Sequence, residues 1–250
     1  MRRRSFLEAV SGGLAAVLGA PGLAGAQSGT DREHRIDLDV PILSEEPAAV
    51  PIRVGVDHPM EADHYIQSIE VSVDRDPVPG KGKFLFTPAN GRPWVSYQMR
   101  SGTGGLVRAV VVCSRHGEFR ASHEIRVVEG GCSTPPERGA RDRVGSPELR
   151  LPRAVKVGEP FEVRTRVSHG SYTGLVLRQG KHVRDLPEYY VKDMTVWLDD
   201  QRVSEFQMTS AVSPNPLIRF PLRVTRPATL RVQFANSEGQ RWEVSQAIRV

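Results

Sequence analysis

Residues 106–128 read LVRAVVVCSRHGEFRASHEIRVV, and this stretch decides the fold class. Side chains on an extended chain alternate between two faces. Val107, Ala109, Val111 and Cys113 therefore share one face, and Phe119, Ala121, His123, Ile125 and Val127 share the apolar face of the next run. Arg108, Glu118, Arg120, Glu124 and Arg126 then point to water. Two half-buried strands joined by a short reversal satisfy this pattern, and a helix does not. On this reading Cys113 is a small core residue and His123 is packed rather than catalytic.

Further runs rich in Val, Ile and Phe lie at 50–56, 66–73, 82–87 and 93–100, ahead of this pair. Pro59, the segment Asp76-Pro77-Val78-Pro79-Gly80, Asn90-Gly91 and the Gly102–Gly105 cluster separate them as reversal points. A second series follows near 148–151, 160–168, 193–199, 202–209, 216–223, 228–236 and 240–249, with a hairpin turn at Asn236-Ser237-Glu238-Gly239. Asp199 and Asp200 read as another turn, and Gly170 to Tyr190 as one long loop of the kind used for binding. Strands at this spacing predict an all-β protein built from sandwiches. Two domains are expected, at 37–128 and 151–250, joined by a flexible linker at 129–150 that has no apolar periodicity.

Composition agrees with this division. The 250 residues, 39% hydrophobic and 25% charged, suffice for two domains of about 100 residues each. Nineteen prolines and 23 glycines leave few places for a helix of ordinary length. Residues 1–26 carry Arg2, Arg3 and Arg4, a mildly apolar stretch and a small-residue ending at Ala24-Gly25-Ala26, which predicts a cleaved export leader. The string Arg3-Arg4-Ser5-Phe6-Leu7 resembles a twin-arginine signal, so the expected location is the periplasm. The net charge is +5, and loss of Arg2, Arg3, Arg4 and Glu8 with the leader leaves +3. With no aromatic stacking platform and no groove-reading helix, this excess does not predict nucleic-acid binding.

Few residues carry chemistry of their own. The chain has no G-x-S-x-G, H-E-x-x-H or C-x-x-C, and its seven histidines read as dispersed, so neither a metal site nor a cofactor is expected. Cys132 stands out. It follows the side-chain-free Gly130 and Gly131 and precedes small polar residues and Pro135-Pro136, which places a thiol on a thin arm. Exported proteins ordinarily avoid such thiols, so it reads as a covalent handle, with Arg138, Arg141 and Arg143 favouring thiolate. A Cys113 to Cys132 disulfide is the other reading of the pair.

Several strings resemble a known pair of families. Val56-Asp57-His58-Pro59-Met60, Tyr65-Ile66-Gln67-Ser68-Ile69, Phe86-Thr87-Pro88-Ala89-Asn90-Gly91 and Val127-Val128-Glu129-Gly130-Gly131-Cys132 resemble SoxY. Val155-Lys156-Val157-Gly158, Val167-Ser168-His169, Ala211-Val212-Ser213-Pro214-Asn215-Pro216 and Val244-Ser245-Gln246-Ala247-Ile248 resemble SoxZ. The resemblance implies two immunoglobulin-like sandwiches. It also implies a non-enzymatic carrier that holds sulfur intermediates on Cys132, with Gly130 and Gly131 as its swinging arm. Its partners would be Sox-type periplasmic enzymes of thiosulfate oxidation (a cytochrome, a hydrolase and a dehydrogenase). The fusion itself resembles carriers associated with a quinoprotein dehydrogenase, so the alternative to sulfur oxidation is a non-covalent adaptor or a carrier for a quinoprotein dehydrogenase system. In SoxY the arm ends the chain, whereas here Ser133, Thr134 and more than a hundred residues follow Cys132.

Overall fold

The computed structural model describes residues 34–128 and 144–250. The leader expected over 1–26 and the segment holding Gly130, Gly131 and Cys132 lie outside the described residues. The first half contributes β1 (Ile36–Asp39), β2 (Leu43–Ser44), β3 (Val50–Val56), β4 (Ile66–Val73), β5 (Gly80–Leu85), β6 (Trp94–Met99), β7 (Gly105–Cys113) and β8 (Gly117–Val127). The second contributes β9 (Gly145–Arg150), β10 (Phe161–Ser168), β11 (Leu175–Arg178), β12 (Lys181–Arg184), β13 (Val191–Leu198), β14 (Gln201–Met208), β15 (Leu217–Leu222), β16 (Ala228–Asn236) and β17 (Arg241–Ile248). Apart from a three-residue 3-10 turn at Pro88–Asn90, the regular structure of the described residues is all β. Alternation does what it predicts in β7: Val107, Ala109, Val111 and Cys113 are buried while Arg108 is exposed. In β8 the same face is only half-buried except at Ile125, and Glu118, Arg120, Glu124 and Arg126 face solvent.

Two sheets hold almost all the strands. One runs β1-β3-β6-β15-β10-β9 and the other β17-β16-β13-β14-β5-β4-β7-β8-β2. Both therefore cross from the first half into the second, so the halves are joined by paired strands as well as by the linker. In the larger sheet β14 runs antiparallel to β5, with Phe206 opposite Phe84 and Met208 opposite Gly82. In the smaller, Arg219 of β15 pairs with Ser96 of β6. The Phe206 ring sits 5.3 Å from that of Phe84 and 5.0 Å from that of Tyr97, all three buried. Gly82 makes room for it: a Cβ there would stand 2.7 Å from Phe206 Cε2.

Polar groups complete the seam. Asn90 donates through Nδ2 to Ser204 Oγ at 2.8 Å and to the Pro221 carbonyl at 3.0 Å, and its Oδ1 accepts from Ser204 Oγ at 3.1 Å. Asn90-Gly91, read from the sequence as a simple reversal, is the end of the 3-10 turn. Gly91 takes φ 68 there, and a Cβ would lie 2.8 Å from Arg223 Cβ, so the small residue lets the halves approach. The Arg223 amide donates to the Ala89 carbonyl at 2.8 Å.

The segment expected as one long loop, Gly170 to Tyr190, contains a hairpin. β11 and β12 pair from Leu175 opposite Arg184 to Arg178 opposite Lys181, around Gln179 and Gly180 at φ 50 and 75. Positive φ at both turn residues matches the right-handed twist of a two-residue hairpin. Its apolar side chains do not enter the core, with Leu177 59% exposed, and for that reason no alternating signal marked it.

Shared sheets give a testable consequence. Proteolytic cutting within Arg138–Arg143 should leave two fragments that elute together at the size of the uncut chain. Size-exclusion chromatography followed by a denaturing gel checks this, and fragments eluting separately would show that the linker alone holds the halves.

Candidate functional site

Strand register brings five donor side chains to one end of the sandwich. Ile36 of β1 pairs with Val56 of β3, so His34, two residues before Ile36, and His58, two after Val56, project beyond the same end. In the facing sheet Ile66 of β4 pairs with Cys113 of β7. His64 precedes that strand by two residues, and His116 lies in the turn from β7 to β8. One donor atom from each of His34, His58, His64, Cys113 and His116 lies within 4.8 Å of every other. His34, His58 and Cys113 are buried, His64 is half-buried and His116 is exposed. This corrects the sequence reading of dispersed histidines: four of the seven converge, because strand ends far apart in sequence are neighbours in the sheets.

The donors form a connected set. His58 Nε2 stands 3.1 Å from His64 Nε2 and 3.5 Å from Cys113 Sγ. His116 Nδ1 stands 3.8 Å from the same sulfur and 3.3 Å from His34 Nε2. His58 Nδ1 is 2.5 Å from the Pro59 carbonyl; donating to that oxygen, it leaves Nε2 as the nitrogen with the lone pair. Phe119 stacks on the His34 ring at 4.0 Å and 11°, fixing its plane. The His64 loop is held against the β7–β8 turn by the Tyr65 amide donating to Ser114 Oγ at 3.1 Å and by an Arg115–Asp63 ion pair. Beside this end, a cleft is lined by Arg35, Arg53, Arg92, His58 and Trp94, with the Arg53 guanidinium 4.1 Å above the Trp94 ring.

Cys113 is buried as the sequence predicts, but its sulfur meets imidazoles as well as core. Cys132, Gly130 and Gly131 lie outside the described residues, and with them the question of a disulfide. His123 is half-buried opposite Val107 and stands apart from the cluster.

The family of sulfur oxidation protein SoxY matches residues 22–132, and that of sulphur oxidation protein SoxZ matches residues 149–247. The chain is a SoxY domain fused to a SoxZ domain. Comparison with curated proteins gives no match. Among solved structures, a superoxide reductase (neelaredoxin) from Ignicoccus hospitalis is 28% identical over 38% of this chain and 81% of its own, with a TM-score of 0.35. A putative superoxide reductase from Thermotoga maritima is 25% identical over 40% of this chain and 90% of its own, also at 0.35. A family 2 β-glucuronidase covers 87% of this chain and 20% of its own at 8% identity and 0.28. At these TM-scores none of the three bears on function.

All five clustered donors belong to the SoxY half. The SoxZ half contributes a separate buried histidine: His169 stacks on Tyr189 at 4.3 Å and lies 3.1 Å from Asn236 Nδ2. Burial lowers its pKa, and the ring also meets Trp242 edge-on at 5.6 Å. The two matches place the chain with the SoxY and SoxZ families of sulfur oxidation, whose members are carrier or adaptor proteins.

Proposed function

We propose that the chain is a periplasmic carrier that holds a sulfur intermediate covalently on Cys132 and presents it to separate oxidising and hydrolysing enzymes. The observation that carries this reading is that the SoxY match ends on Cys132 and is followed in the same chain by a SoxZ match. Gly130 and Gly131 before the thiol remove side-chain bulk from the arm. Arg138, Arg141 and Arg143, close by in sequence, favour the thiolate form of Cys132. The paired strands of the two halves keep the SoxZ half beside its partner without an association step. Export through the twin-arginine route suits a pair that folds before crossing.

Intact-protein mass spectrometry of the periplasmic form under non-reducing conditions tests the proposal. The expected result is a mass increment on the Cys132 peptide that disappears on reduction, with Cys132→Ser abolishing both increment and pathway function. A Cys132 thiol unmodified in cells oxidising sulfur compounds, or full pathway function in Cys132→Ser, would leave a non-covalent adaptor as the role.

A further inference from the structure

We propose that His34, His58, His64, Cys113 and His116 bind one divalent first-row transition-metal ion through four imidazole nitrogens and one thiolate. This inference stands on the described residues and does not depend on the carrier role of Cys132.

Around an ion with bonds of about 2.1 Å to nitrogen and 2.3 Å to sulfur, adjacent donors lie about 3 Å apart and opposite donors a little over 4 Å. The neighbours here are 3.1, 3.3, 3.5 and 3.8 Å apart and the longest separation is 4.8 Å, the dimensions of a slightly expanded coordination shell.

With Nδ1 donating to Pro59, His58 Nε2 has a single lone pair, yet both His64 Nε2 and the Cys113 thiol converge on it. One proton serves one such contact, whereas one cation serves all of them. The Nδ1 bond to a backbone carbonyl is also the outer-shell contact that orients metal-bound imidazoles.

His34 and His58 extend from the sheet of β1 and β3, and His64, Cys113 and His116 from that of β4, β7 and β8. An ion would therefore clamp the two layers where no strand pairing joins them. The more open His64 and His116 leave a route for it from solvent.

The donor set narrows the ion. Calcium and magnesium need oxygen ligands, and structural zinc closes with four. Five nitrogen and sulfur donors suit an ion that takes five or six ligands, such as iron(II), and leave an octahedral position for a small external ligand. The site is distinct from the carrier arm. β8 runs 11 residues from this end to Val127, about 34 Å, and the four residues from Val128 to Cys132 span at most about 14 Å.

The test uses the full mature chain without a histidine tag, incubated anaerobically with Fe2+ and desalted. Elemental analysis should give about one iron per chain, and one-electron oxidation with ferricyanide should produce a visible thiolate-to-iron(III) charge-transfer band. Cys113→Ser should lose that band. The double variant His64→Ala/His116→Ala changes only partly or fully exposed side chains and should drop iron at least tenfold while retaining the wild-type β-sheet circular dichroism. Cys132→Ser should bind iron as the parent does, which separates this site from the carrier thiol. Folded parent protein taking up less than a tenth of an equivalent of Fe2+, Co2+, Ni2+ or Zn2+ would overturn the proposal. So would uptake unchanged in the double variant.

Discussion

Asp76→Ala should destabilise the folded chain by about 3–5 kcal/mol, the range for removing one partner of a buried ion pair. Asp76 and Lys81 flank the turn between β4 and β5 with side chains fully excluded from solvent, 2.7 Å apart. The Lys81 ammonium donates also to the carbonyls of Val78 and Arg100, each at 2.8 Å, so its three hydrogens are all engaged. Asp76 Oδ1 accepts from the amides of Gly102 at 2.7 Å and Thr103 at 3.0 Å. Removing the carboxylate leaves a buried cation with neutral partners only and takes an acceptor from two amides. The next residues in this network reach the seam, since the Arg100 amide donates to the Ala211 carbonyl at 2.6 Å. Urea denaturation followed by fluorescence and by circular dichroism measures the loss, with a lowered midpoint expected by both probes. Asp76→Ala/Lys81→Met removes both charges at similar volume and should recover more than half of the stability. A loss below about 1 kcal/mol in the single variant would mean that water reaches the ammonium.

Phe206→Ala should cost a similar 3–5 kcal/mol, the range for deleting a buried aromatic ring. Its location makes the effect specific, because Phe206 of the second half packs against Phe84 and Tyr97 of the first, and Phe84 in turn meets Phe220 of the second. Partial collapse cannot fill the space: Gly82 beneath the ring has no side chain, and the surrounding strands are fixed by the β5–β14 ladder. In uncut protein the linker keeps the halves together and the variant shows a lowered unfolding midpoint. In protein cut within Arg138–Arg143 the same variant should release two fragments on size-exclusion chromatography, where cut parent protein stays together. Fragments of cut Phe206→Ala that still co-elute would place the binding energy of the seam in the Asn90–Ser204 network instead.

Strand positions were legible because burial on one face writes alternation into the chain. Thirteen runs read from the sequence correspond to β3 to β10 and β13 to β17, with ends shifted by a few residues. The short β1 and β2 and the exposed hairpin β11–β12 were not legible, since few or none of their side chains face the core. Asp199-Asp200 and Asn236–Gly239 act as turns, as read, with positive φ at Asp199 and Gly239.

Site chemistry divides along the same line. Cys132 was conspicuous because its oddity is local: a thiol beside two glycines in a segment without periodicity. The histidine and cysteine cluster was not conspicuous, because its members are separated by 24, 6, 49 and 3 residues and match no short metal-binding spacing. A clue was available in their positions at or within two or three residues of strand ends, but which ends share one pole of the sandwich depends on register.

The sequence by itself determined an all-β chain in two family-specific halves with a glycine-flanked thiol between them, since alternation, turn residues and local motifs are properties of neighbours along the chain. Only the tertiary structure decided that the halves share both sheets and that five donors meet at one end. Those results rest on pairing between strands more than a hundred residues apart, as at Phe84 and Phe206, and on the register that sets Ile36 against Val56 and Ile66 against Cys113.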